Sequence, residues 1–305
     1  MNQSLRIWLD AARPKTLPLA LVSILTGSVL AYSFGQFSPM VALLSFVTAT
    51  LLQILSNLAN DYGDAIKGTD NEQRLGPTRA MQSGAVSAKE MKRAIIFNIA
   101  LTMIAGLSLV LYALNSPQSI LAFIGLGVLA IFAAIAYTMG SKPYGYVGLG
   151  DLSVFIFFGL LGVSGTYFLH TGQLDSALFL PSLGCGMLAV AVLNINNMRD
   201  IENDAACGKR TVAVRLGQKK AKQYHFVLLA GALLAFASYL LLQPSSAWLC
   251  LPFLLSLIAL FRHGKAVWLT KQPAQIAPMM PVVVKCSLVT NILFATVVIA
   301  QTLVS

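Results

Sequence analysis

Charged residues are scarce in this chain. Only 10% of its 305 residues are Asp, Glu, Lys or Arg, against about a quarter in a soluble domain, and this excludes a water-exposed globule. Acids are the rarer sign, 11 against 21 basic residues. The four cysteines, Cys185, Cys207, Cys250 and Cys286, show no C-x-x-C spacing. That rules out a zinc ribbon or dithiol motif and leaves them as small packing residues. Short runs alternating apolar with polar residues are also missing, so a transmembrane β-barrel is excluded. Arg6, Arg13 and Lys15 precede an apolar stretch, as in a secretory leader. The stretch is long enough to span and has no small-residue cleavage signal, so it reads as a retained first helix.

What the chain has instead is long apolar runs: 57% of its residues are hydrophobic and the mean hydropathy is +0.74. A transmembrane helix needs roughly 20 mostly apolar residues. Nine runs qualify: 16–35, 40–60, 94–114, 118–138, 152–170, 177–197, 224–243, 246–261 and 279–301. The eighth is the weakest, being short and interrupted by Pro252. The fold class predicted is an all-α membrane protein of nine transmembrane helices. When the connecting segments are assigned alternately to two sides, all 21 Lys and Arg fall on the side of the N-terminus. The positive-inside rule makes that side cytoplasmic, with the C-terminus outside. The net charge of +10 is then a topology signal and calls for no nucleic-acid partner. The outer connections "GQFS", "NSPQS", "TGQLDS" and "QPSS" are short, and the inner ones after helices two and six are long. No linker divides the chain, so residues 1–305 are expected to form one domain.

The scarce acids are unevenly placed. Ten of the eleven lie on the cytoplasmic side, and Asp61, Asp64, Asp70, Asp200, Glu202 and Asp204 crowd the entrances of the two long loops. "NLANDYGD" at 57–64 and "NINNMRDIEND" at 194–204 each close an even-numbered helix, with their leading asparagines 139 residues apart. This weak internal repeat points both phrases the same way through the membrane. On a helix, Asn57, Asp61 and Asp64 share one stripe, as do Asn196, Asp200 and Asp204; Gly63 and Gly68 place Asp70 beyond the helix end. Aspartates that only capped these ends would work against the helix dipole. Like charges crowded at a membrane boundary repel one another unless cations accompany them. Carboxylates with no companion His or Cys cluster suit Mg²⁺, held by a few carboxylates, water and substrate phosphate. Lys67, Arg74 and Arg79 follow the first phrase, and Lys209, Arg210 and Arg215 the second. Each serves topology; together with Mg²⁺ they suit a diphosphate clamp. An anionic head at the boundary above lipid-facing helices implies a substrate with an apolar tail.

A third phrase, "YTMGSKPYGYVGLGD" at 137–151, brings Tyr137, Lys142, Tyr144, Tyr146 and Asp151 among four glycines. Interfacial tyrosines are common membrane anchors. The alternative is that they line a reaction site, their faces turned to a carbocation and Lys142 paired with an acidic substrate. "NDYGD" and "NNMRDIEND" resemble the two aspartate-rich motifs of the UbiA-type intramembrane prenyltransferases. "ARPKTLPLA", "LQILSNLANDYGDAIKGTD", "GPTRAMQSG", "KPYGYVGLGD" and "VLNINNMRDIENDAACGKRT" extend the likeness over nearly the whole chain, toward the branch of that family that acts on 1,4-dihydroxy-2-naphthoate. The third acid of the first motif, Asp70, lies further along than the family's commonest pattern.

The resemblance implies nine helices around a central cavity open sideways to lipid and capped by the two cytoplasmic loops, in a bacterial inner membrane. It also implies two Mg²⁺ ions between the aspartates and a polyprenyl diphosphate. Asp61, Asp64, Asp200 and Asp204 are then the expected metal ligands, assisted by Asn57 and Asn196. Lys67, Arg79 and Lys209 are further donors to the diphosphate. Tyr137 or Tyr144 would face the allylic cation, Lys142 would hold the acceptor's carboxylate and Asp151 would handle a ring hydroxyl proton. The expected product is demethylmenaquinol, from naphthoate prenylation with loss of carbon dioxide. A prenyltransferase for 4-hydroxybenzoate or homogentisate is the near alternative. A secondary transporter is the distant one, disfavoured because the acids lie at one face and not at mid-membrane.

Overall fold

The computed structural model describes residues 3–243 and 247–304. Among them are helices and no strands. The elements in order are α1 (Gln3–Ala12), α2 (Leu17–Ser33), α3 (Pro39–Ile66), α4 (Ala88–Ala113) and α5 (Pro117–Ala136). Then come α6 (Gly150–Thr171), α7 (Phe179–Arg199), the short α8 (Ile201–Ala206), α9 (Val212–Leu242), α10 (Ala247–Leu269) and α11 (Met279–Val304). Eight helices are long and apolar enough to cross a membrane; a ninth span results if α2 is joined to Leu5–Ala12 of α1 across a 54° bend.

Start signals written in the chain set several boundaries. Ser38 caps α3 by accepting from Val41 N, with Pro39 in the first turn. Ser87 and Glu90 form a reciprocal capping box on α4, and Thr211 caps α9. Such side chains satisfy backbone N–H groups that lack a helical partner. Most spans exceed their predicted limits because each helix continues past its lipid-facing run. Thus α3 reaches Ile66 and carries Asp61 and Asp64 in its last turns, and α10 runs on to Leu269. The weak eighth run is accounted for by a 3₁₀ opening over Ala247–Phe253 that contains Pro252, where a missing N–H is tolerated. Of the outer connection "QPSS", residues 244–246 lie outside the described residues.

One departure bears on the site. Asn196, Asp200 and Asp204 do not continue along one helix. α7 ends at Arg199, Asp200 sits at the break (φ −98°, ψ 16°) and α8 restarts at Ile201. The even stripe expected from spacing is therefore turned at Asp200, and the second motif folds over the cavity mouth.

The largest hydrophobic core joins α2, α6, α7, α9, α10 and α11, with Phe236 and Phe294 buried against each other. A second packs α1 against α3 and α4 around Leu55 and Met91. Glycine permits the tightest crossings, as is usual between membrane helices. The middle of α6 is π-helical over Phe155–Gly165, and a Cβ at Gly159 would lie 2.6 Å from Ser182 O of α7. At the aspartate-motif end, a Cβ on Gly63 would lie 2.6 Å from Thr138 O, and Thr138 Oγ1 donates to Ala59 O at 2.9 Å. This crossing seats the aspartate-bearing turn of α3 beside Tyr137. Gly63→Ala should therefore cost about 1–3 kcal/mol of packing strain. We expect a lowered thermal midpoint in detergent and reduced turnover, because the obstructing atom is backbone and cannot rotate away; an unchanged midpoint would refute the close crossing.

Candidate functional site

A cavity of about 440 Å³ runs between α2, α3, α4, α5, α6 and α7. Its lining on α3 extends from Ser45 to Asp64, 19 residues or about 28 Å at 1.5 Å per residue. This volume spread over that length makes a narrow slot nearly as deep as a bilayer's hydrocarbon core. Leu52, Leu107, Ile124, Phe157, Phe158 and Leu161 give it apolar walls. The stacked Phe123–Phe168 pair, with centroids 5.3 Å apart, stands in the hydrophobic cluster at the end remote from the aspartates. At the motif end the lining changes character to Arg13, Asn57, Asp64, Arg79, Asn196 and Lys209.

Five buried carboxylates and five cationic side chains meet at that end. Asp61 is 1% exposed and its Oδ1 accepts from Arg13 and, at 2.5 Å, from Arg79. Asp64 accepts from the Tyr146 hydroxyl at 2.8 Å and pairs with Lys209 Nζ at 3.4 Å, which also lies 3.9 Å from Asp204. Arg74 Nε lies 3.2 Å from Asp70 and 3.6 Å from Asp200. Asp200 is further held by Arg199 at 2.5 Å and by the Leu75 N–H at 3.2 Å. Two cations thus join the two halves of the chain: Lys209 joins Asp64 to Asp204, and Arg74 joins Asp70 to Asp200. Asn203 Nδ2 adds a hydrogen bond to Thr69 O at 2.9 Å. Asp70 itself is buried within the cluster.

Charge and burial set the protonation of this cluster. Burial, then the neighbouring charge of Asp64, pushes Asp70 up to about 7. Burial likewise raises Asp204 to about 6, against the pull of Lys209. Burial alone would lower Lys209, but Asp64 and Asp204 outweigh it and hold the ammonium above the usual lysine range. The Tyr146 hydroxyl is pushed up by burial and by Asp64. Its ring has Lys67 at 5.5 Å and Lys209 at 5.2 Å from its centroid.

The other expected residues divide clearly. Asn57 donates to Ala12 O at 2.8 Å, tying the α1–α2 junction to α3. Asn196 Oδ1 accepts from Arg199 at 2.9 Å. Tyr137 lines the cavity and stacks edge-on with Tyr144, centroids 5.3 Å apart. It is seated by two glycines, since a Cβ at Gly145 or Gly150 would lie 2.6 Å or 2.8 Å from Tyr137 atoms. Asp61, Asp200 and Asp204 belong to the charged cluster without lining the cavity, and Lys67, Lys142 and Asp151 neither line the cavity nor pair with the clustered aspartates. Lys67 and Lys142 are exposed, the latter beyond a left-handed turn at Gly140 (φ 94°). Asp151 is buried but turned to the Tyr224 hydroxyl of α9. Glu202 is exposed. Sequence reasoning counted Arg13 only for topology, and it missed Arg199. Arg13 holds the only positive φ outside glycine among the described residues (φ 53°), at the α1–α2 bend, and this puts its guanidinium on Asp61.

The donor set suits a hard divalent cation. It consists of carboxylates, and neither oxygen of buried Asp70 is hydrogen-bonded. Among the described residues no three acids converge as a ready cage, because Arg or Lys stands between them. With five charges of each sign the cluster is already balanced, so a multiply charged anion entering it calls for accompanying cations.

Fold and site together define a helical membrane protein whose long apolar slot ends in a buried patch of paired carboxylates and cations. The chain belongs to the UbiA prenyltransferase family, whose model matches residues 20–289. It is 50% identical to the 1,4-dihydroxy-2-naphthoate octaprenyltransferase of Escherichia coli (strain K12), over 94% of this chain and 93% of that one. With the enzyme of the same name from Haemophilus influenzae it shares 49% identity, over 97% and 96%. A solved UbiA homolog from Archaeoglobus fulgidus bound to DMAPP and Mg²⁺ has the same fold, with TM-score 0.63 at 15% identity, over 98% of this chain and 100% of that one.

The raised carboxyl of Asp70 has a signed consequence. An acid whose native pKa exceeds its unfolded value of 3.8 destabilises the fold once ionised, beginning near pH 4 and complete above about 7. With chelator present, thermal stability of the wild type should fall as pH rises through this window. Asp70→Asn should lose less over the same range, the remainder belonging to Asp204. Parallel profiles for the two proteins would contradict the burial assigned to Asp70.

Proposed function

We propose that this protein transfers a polyprenyl group from its diphosphate to 1,4-dihydroxy-2-naphthoate, releasing diphosphate and carbon dioxide and giving demethylmenaquinol for menaquinone synthesis. Family membership and the names of its relatives at about 50% identity over nearly full length support the acceptor and the reaction. One observation carries the reading within this chain. A slot suited to one long apolar tail opens onto a cluster in which Lys209 and Arg74 each pair with acids of both motifs.

The donor lies with its tail among Leu52, Leu107 and Phe158 and its diphosphate at Arg13, Arg79 and Lys209. These three cations line the cavity and offer charge-assisted hydrogen bonds to phosphate oxygens. Asp61, Asp64, Asp200 and Asp204 would hold two Mg²⁺ ions, with Asn57 and Asn196 orienting the ends of their helices. When bound, these ions neutralise charge developing on the leaving diphosphate. The C1–O bond of the donor breaks with its electron pair passing to diphosphate. The Tyr137 ring, fixed by its glycine neighbours, faces the allylic cation, and the apolar walls exclude water. The ring carbon bearing the acceptor's carboxylate bonds to C1. The carboxylate then leaves as carbon dioxide, returning its bonding pair to the ring. Lys142 and Asp151 lie off the cavity wall, so this reading gives neither of them a role. The one-sided distribution of Lys and Arg supports a multi-pass placement in the bacterial inner membrane, with the N-terminus and the motif loops cytoplasmic.

Membranes containing the protein, given a polyprenyl diphosphate and Mg²⁺, should prenylate dihydroxynaphthoate with release of carbon dioxide and leave 4-hydroxybenzoate unreacted. Prenylation of 4-hydroxybenzoate instead would support the alternative acceptor. Asp61→Asn and Asp200→Asn should each lower Mg²⁺-dependent turnover by at least a hundredfold while leaving membrane insertion intact. Wild-type rates from purified Asp200→Asn protein would sink the metal assignment.

A further inference from the structure

Residues 205–305 carry ten Lys and Arg and no Asp or Glu. The prenyl-transfer site uses only part of this charge. Lys209 is matched by acids of both motifs, and Arg215 is bound to the carbonyls of Arg210 and Val147. Lys219 and Lys222 of α9 take part in no ion pair among the described residues. With Gln218 of α9 and Trp268 of α10 they line a second cavity, of about 280 Å³. Its walls are held in place from both helices. α9 is kinked at Gly217 (φ 72°, ψ 163°), immediately before these side chains. Lys222 is half-buried, and its ammonium donates to Thr270 O, just past the end of α10. One turn further along α9, His225 Nε2 lies 3.0 Å from His263 Nε2 of α10, with both rings buried. Gln218 Nε2 is buried and has no hydrogen-bond partner among the described residues. A buried donor in that state destabilises the fold, and rotation about its broad terminal torsion hands it to an acceptor in the cavity.

The lining identifies the ligand's chemistry. Ammonium and indole groups donate and do not accept, and with the amide nitrogen they make a set of donors with two uncompensated positive charges. Phosphate oxygens match it. No acid lines the cavity, so nothing there receives the cationic end of a zwitterionic headgroup. The surroundings select a lipid over a dissolved phosphate. Lys219, Lys222 and Phe226 share one stripe of α9, and Phe261, Gly264 and Trp268 share one of α10. Phe226, Phe261 and Trp268 are 47%, 57% and 49% exposed, and a Cβ at Gly264 would lie 3.3 Å from the Phe226 ring. Along both stripes the donors lie toward the aspartate-motif end and the phenylalanines one to two turns deeper. That order, cations and tryptophan above apolar rings, follows a phospholipid from head to tail. We infer that the α9–α10 crossing binds an anionic phospholipid. Its phosphate lies among Gln218, Lys219 and Lys222, and its acyl chains run past Phe226 and Phe261.

The test uses the full chain with Trp8→Phe and Trp248→Phe, which leaves Trp268 as its single indole, in lipid nanodiscs. Brominated lipids quench an indole that they touch. Brominated phosphatidylglycerol should associate with Trp268 about twentyfold more strongly than brominated phosphatidylcholine, roughly fivefold for each lysine. Lys219→Gln and Lys222→Gln should each lower that preference by about fivefold, and Lys222→Arg should retain it. Lys285→Gln removes an exposed cation of α11 outside the cavity and should leave the preference unchanged. Inorganic phosphate at millimolar concentration should not relieve the quenching. Equal quenching by the two lipids would overturn the site, as would an equal loss in Lys285→Gln, which would reduce the effect to general surface charge. Relief by inorganic phosphate would overturn the lipid as ligand. Lys219 is exposed, so Lys219→Gln decides the matter even where loss of the Lys222–Thr270 bond unsettles the crossing.

Discussion

The rest of the site depends on one electrostatic constraint: carboxylates buried at a membrane boundary must each be matched by a cation. An unpaired charge there would be very costly to desolvate. Five aspartates are matched by four arginines and one lysine drawn from four separate parts of the chain. Arg13 comes from the α1–α2 bend, Arg74 and Arg79 from the loop after α3, Arg199 from the end of α7 and Lys209 from the segment after α8. Pairing across the motifs links the two loops at the charged end of the cavity. The backbone accommodates it with a left-handed Arg13 and a break at Asp200.

The same pairing bears on the proposed reaction. In the proposed reaction an incoming diphosphate would compete for Arg13, Arg79 and Lys209, the cations that line the cavity. The carboxylates they release are hard oxygen donors suited to divalent cations. In the proposed reaction, substrate and metal would thus be coupled through the protein's own ion pairs. The slot adds a second division: apolar walls along most of its length, a charged mouth at one end, and Tyr137 on the stretch between them.

Legibility in the sequence followed the range of the physics involved. Spans could be read because lipid demands long apolar runs, and caps such as Ser38 and Ser87 mark where several begin. The two motifs stood out because acids are rare here and cost energy at a membrane boundary. Tyr137 was readable as part of an aromatic, glycine-rich phrase, although its seat between Gly145 and Gly150 was not. Arg13 was misjudged because topology alone explains an arginine beside a first span.

The sequence by itself determined that the protein is helical and membrane-spanning, that its charged residues gather at one end, and that two acid phrases close corresponding helices. These follow from composition and from periodicity over a turn or two, where each residue acts with its near neighbours. Only the tertiary structure decided that Asp70 lies inside the cluster, that Lys209 and Arg74 bridge the motifs, and that Lys142 stays outside. Those outcomes depend on contacts between residues as much as 145 positions apart, which loop paths and helix crossings bring together and local pattern cannot specify.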